Sequence, residues 1–155
     1  MKRWWAPVLL GPLLLGCGSK DNISLSASVS NVQLSVTEQT LGTQLSGSFD
    51  LNLEVGAEAD GAATVELGSF SLAGDQATLV GALQVVPVGV TFPVTVGKGQ
   101  KKTVAFTLDD SALLPASDKA ALCAGPVHVV GAVTHNLNGG ETQPLTSKPG
   151  VPSGC

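Results

Sequence analysis

No tyrosine occurs among the 155 residues, and both tryptophans, Trp4 and Trp5, fall within the first five positions. The remaining rings are Phe49, Phe70, Phe92 and Phe106. A body without Trp or Tyr lacks the amphipathic rings that supply most sugar-stacking platforms and interface anchors. Charge is scarce too, at 13% of residues with a formal net charge of −4. That balance excludes a phosphate-neutralising surface, so no nucleic-acid partner is expected. Histidine occurs only at 128 and 135. Their odd separation puts them on opposite faces of a single strand, which precludes a joint metal or acid–base site there. No Gly-x-Ser-x-Gly elbow is present. No loop carries the alternating Asp ligands of a dedicated calcium site, although Glu58, Asp60 and Asp75 sit at turns. Asp109-Asp110 is the nearest approach to a carboxylate pair, but neighbouring strand residues diverge, and Asp before Ser more often opens a turn. No cofactor is expected.

What the chain has is glycine, 19 residues, and proline, 9, among a dense scatter of Ser, Thr and Val. Apolar residues recur with period two, the signature of half-buried strands. Ile23, Leu25, Ala27 and Val29 alternate with serines, then the phase slips to Val32, Leu34 and Val36, as at a bulge. The cleanest strand runs from Leu45 to Val55, and others are expected over 63–72, 78–86, 88–96, 104–108, 127–134 and 142–146. Pro93 belongs on a sheet edge because it cannot donate to a ladder. Gly97-Lys98-Gly99-Gln100 reads as a hairpin turn, and a short helix capped by Ser117 or Asp118 is expected to run to Cys123. About seven to nine short strands at this spacing predict an all-β fold, an immunoglobulin-like antiparallel β-sandwich with one short helix near 115–124. A small antiparallel barrel is the alternative.

The first twenty residues read as an address. Met1-Lys2-Arg3 is basic, and the apolar run from Trp4 to Leu15 is shorter than the roughly 20 residues a membrane span needs. It ends in Leu14-Leu15-Gly16-Cys17, which resembles the lipobox of bacterial lipoproteins. The resemblance implies a signal peptide over 1–16, cleavage before Cys17, and acylation of that cysteine by diacylglycerol and usually a further palmitate-type chain. Residues 17–22 would then be a short tether and 23–155 the sandwich domain. Membrane lipid, through acylated Cys17, becomes the implied partner. Gly18 stands where that family's inner-membrane retention signal places Asp, which favours the outer membrane over the inner. Without Lys2 and Arg3, six of the eight basic residues remain against twelve acidic ones.

Lipidation of Cys17 would leave Cys123 and Cys155 as an even pair in an oxidising compartment, where a disulfide is expected. Metal binding by the two is the rival reading, poorly supported without neighbouring His or acidic ligands. Lys98, Lys101 and Lys102 form the one basic cluster. It reads as a solvated hairpin tip, or as a surface contact with anionic lipid or polysaccharide. Parts of the body, Val94–Phe106, Pro126–Thr134 and the strand after Gly139-Gly140, resemble the sandwich of water-stress and late-embryogenesis proteins of the second type. Val55-Gly56-Ala57 replaces that group's Asn-Pro. The expected function is therefore a lipid-anchored, non-catalytic β-sandwich with a binding or scaffolding role and an envelope protein as partner. A lipid-handling or stress-protective sandwich and an envelope hydrolase are the alternatives.

Overall fold

The computed structural model describes residues 24–108 and 113–155. The expected signal peptide, Cys17 with its tether, and Asp109-Asp110 lie outside the described residues. Ten strands are present among those described: β1 Leu25–Gln39, β2 Gly42–Val55, β3 Ala63–Ala73, β4 Thr78–Val80 and β5 Val85–Pro87. They continue with β6 Val94–Val96, β7 Lys101–Leu108, β8 Leu113–Leu114, β9 His128–His135 and β10 Glu141–Thr146. Helix α1 spans Ala116–Leu122, and a 3-10 turn spans Leu137–Gly139.

The strands form two five-stranded sheets. The first has the order β1-β2-β7-β5, with β8 added against β2. The second has the order β10-β9-β3-β4, with β6 also against β3. All of these pairings are antiparallel. The path β1-β2-β7-β5 has the A-B-E-D order of an immunoglobulin-like sandwich, and β10-β9-β3 has the G-F-C order of its facing sheet.

Period-two patterning explains the inner faces. Phe49, Leu51, Leu53 and Val55 of β2 are buried, as are Val104, Phe106 and Leu108 of β7 and Val65, Phe70 and Leu72 of β3. The phase slip in β1 is a bulge: the pairing steps from Ser30 opposite Asp50 to Gln33 opposite Ser48. Asn31 takes a φ of 52° there and donates through Nδ2 to Asp50 at 2.7 Å. Gly47 makes room for it, since a Cβ at that position would stand 2.2 Å from the Gln33 carbonyl oxygen.

The rings fill the space between the sheets. Phe49 stacks on Phe106 with centroids 5.1 Å apart, and Phe70 and Phe92 tilt against them at 5.4–6.0 Å. Gly131 of β9 faces this cluster, and a Cβ there would lie 2.5 Å from Phe70 Cδ1. Phe70 is only 2% exposed and has nowhere to retreat. Gly131→Ala should therefore cost about 1–3 kcal/mol in urea unfolding, the usual range for overpacking. Gly61→Ala, with nothing within 4 Å, is the control. Equal midpoints for the two variants would contradict this packing.

Several local expectations are corrected. The strand expected over 78–86 breaks at Gly81–Gln84, so that β4 joins the second sheet and β5 the first. Leu83 causes the break by turning inward, at 8% exposed, with its N–H donating to Phe70 O at 2.8 Å. Of the strand expected over 88–96 only β6 forms; Pro93 precedes this three-residue piece, which pairs with β3 alone. The Gly97–Gln100 turn is tight, with Gln100 N–H donating to Gly97 O, but it is not a hairpin. It carries the chain from β6 in one sheet to β7 in the other. Helix α1 begins earlier than the expected caps at Ser117 or Asp118: Pro115 occupies the cap position and its carbonyl accepts from the Asp118 N–H. The two-residue β8 is too short to have shown any periodicity.

Candidate functional site

One end of the sandwich gathers the chain entry and the basic residues. Ser24 O accepts from Gly56 N–H at 3.2 Å, and Ser24 Oγ accepts from Asn138 Nδ2 at 2.9 Å. Val55 N–H donates to Gln100 O at 3.0 Å, bringing the Gly97–Gln100 turn to the same end. Lys98 is exposed in that turn. Lys101 faces outward and pairs with Glu54 at 2.9 Å, while Lys102 stands opposite buried Leu53 at the rim of the inner face. The three lysines thus share an end but diverge from it, because β7 alternates its side chains. The exposed Lys101–Glu54 pair contributes at most about 1 kcal/mol. Glu58 and Asp60 lie in the 56–62 loop, which starts from this end.

The two histidines occupy opposite faces of β9. On the outer face, His128 Nδ1 lies 3.0 Å from Ser147 O, and Nε2 lies 3.7 Å from Asp75 Oδ1. A carbonyl partner requires the proton on Nδ1. His135, its side chain 3% exposed, lies on the inner face across from Val65, with Nε2 4.0 Å from Glu141. Its Nδ1 is buried without a hydrogen-bond partner among the described residues. Ser147, buried at 4%, accepts the Val129 N–H and donates to Lys148 O, so its hydroxyl is a structural clip between β9 and the chain after β10. No group of three or more His, Cys, Asp or Glu able to hold a metal ion occurs among the described residues.

The far end carries the disulfide and an element that sequence reasoning missed. Cys123 and Cys155 are bonded, with Cα atoms 5.4 Å apart. The tail is held by more than that bond. Gly150 exchanges two backbone bonds with Val127, at 2.8 and 2.9 Å. Ser153 runs parallel to β1: its N–H donates to Leu34 O and its carbonyl accepts the Val36 N–H, both at 2.9 Å. A single bridging residue cannot display a strand period, so alternation could not have revealed this contact. Upstream, a cleft of about 300 Å³ separates Lys148–Gly150 from the β1 bulge at Val29–Val32.

No family model matches the chain, and no curated protein matches it. Among solved structures, the X-ray structure of Northeast Structural Genomics Consortium target SoR45 is similar over 83% of this chain and 86% of that one, at 13% identity and a TM-score of 0.48. The ASH / PapD-like domain 7 of human CEP192 is similar over 92% and 96%, at 11% identity and a TM-score of 0.41. The chain's class, an immunoglobulin-like β-sandwich, rests on the strand order and register described above.

Proposed function

We propose that this chain is a lipid-anchored lipoprotein of the cell envelope, in the outer membrane rather than the inner, whose sandwich binds or scaffolds a protein partner and catalyses no reaction. The carrying observation is the position of Ser24. It lies seven residues beyond Cys17, a reach of at most about 25 Å fully extended, at the end that also bears Lys98 and Lys102. Acyl chains on Cys17 would hold this end against the headgroups, where each free lysine gains about 1 kcal/mol near an anionic surface. The hairpin tip at Leu41, 87% exposed, would then point away from the membrane at the far end of β1 and β2. The ring-filled interior supports a packed binding domain over a lipid carrier.

The test is the intact mass of protein extracted from membranes. It should begin at residue 17 and carry the mass of two or three acyl chains. Cys17→Ser should accumulate as uncleaved precursor while the urea midpoint of the domain stays unchanged. A soluble, unmodified chain with another first residue would overturn the reading.

A further inference from the structure

The C-terminal strap covers part of an open sheet edge. Strand β1 pairs with β2 on one side only, and edge strands left open recruit other chains. Over Leu34–Val36 the outer side of β1 is taken by residues 153–154. Ser153 makes its two backbone bonds there, and its hydroxyl adds a third to Leu34 O at 3.2 Å. Gly154, at a φ of 83°, lies so close that a Cβ would stand 2.0 Å from the Val36 carbonyl oxygen. Pro152 is buried beside it. Cys155 of the strap is an exposed residue and its partner Cys123 is half-buried, so the latch lies at the protein surface.

We propose that the strap is an exchangeable latch: opened by a thiol, it leaves its own β1 edge and docks on that of a second copy of this chain. The occupant follows from the fit. The edge at Leu34–Val36 is complementary to this segment, including a backbone approach that only glycine permits, so reciprocal exchange between two copies preserves every bond the strap makes. The chemistry needs no net oxidant. A small thiolate attacks Cys155 Sγ, forming a mixed disulfide and releasing the Cys123 thiolate. A second copy, opened in the same way, supplies a Cys123 thiolate that attacks the first copy's Cys155 Sγ and expels its small thiolate. The first copy's Cys123 thiolate does the same at the second copy's Cys155, so two disulfides within chains become two between chains and both small thiolates are returned.

Two full-chain variants on a Cys17→Ser background test this. Cys123→Ser, carrying glutathione on Cys155, is mixed with Cys155→Ser, whose Cys123 is a free thiol. A covalent heterodimer should form, joined Cys155 to Cys123, at least tenfold faster than when the glutathione-carrying chain also bears Gly154→Val. That substitution blocks docking on Val36 but leaves the thiol chemistry alone. Absence of heterodimer, or an equal rate with Gly154→Val, would overturn the proposal. Should either cysteine variant fail to fold, heavy- and light-isotope copies retaining both cysteines, incubated with catalytic reduced glutathione, give the same reading. Heavy–light Cys155–Cys123 peptides support exchange, and their absence refutes it.

Discussion

Phe106→Ala should lower the stability of the domain by about 3–5 kcal/mol, the range for deleting a large buried ring. Phe106 is 0% exposed and touches the other three rings, with centroids 5.1, 6.0 and 5.8 Å away. It therefore ties β7 of the first sheet to β3 of the second, through Phe70, and to the segment that enters β6, through Phe92. Truncation leaves a cavity that two sheets held by hydrogen-bonded ladders cannot close, so both the transfer and the cavity contributions are lost. Denaturant unfolding monitored by far-UV circular dichroism gives the value. A loss under about 1.5 kcal/mol would mean that the sheets slide together and the ring cluster is not the centre of the core.

Removing the disulfide by the double change Cys123→Ser and Cys155→Ser should cost about 3–4 kcal/mol on the chain-entropy estimate, since the bond closes a loop between residues 32 apart. The loop contains β9 and β10, half of the second sheet's hydrogen-bonded path, so the unfolded chain gains freedom over a whole structural unit. The two Gly150 bonds to Val127 do not depend on the disulfide and hold the chain before the strap in place, which limits the damage in the folded state. At a typical total of about 5–15 kcal/mol, the domain remains folded at 25 °C but with a lower urea midpoint. A midpoint unchanged from the wild type would show that the tail adds nothing to global stability. Amide exchange at Val36 would then be the place to see a purely local effect.

The strands themselves were legible because burial on one face imposes a period of two. Leu45–Val55 reads directly as β2, and the slip between Val29 and Val32 marks the β1 bulge at its observed position. The opposite faces of His128 and His135 follow from the same rule, as their separate partners now show. Partner choice was not legible. Alternation says that Thr78–Val80 and Val85–Pro87 each have one buried face, but it is the same signal whichever sheet receives them. The Gly97–Gln100 turn has the residues of a hairpin and the function of a corner for the same reason: its local chemistry sets the tightness of the bend, not the strand beyond it.

From its residues alone this protein reads as an all-β chain with few charges, with Cys123 and Cys155 as a candidate pair and with a Leu14-Leu15-Gly16-Cys17 motif that resembles a lipobox. Those properties are local, carried by composition, period and short motifs. Only the tertiary structure decided that Ser24 and the lysines share one end, that four phenylalanines from 49 to 106 meet in one cluster, and that the tail lies along β1. Each of these joins residues far apart in sequence. Such contacts depend on which strands pair across the two sheets, and that is settled by the summed burial of the whole core, not by any one segment.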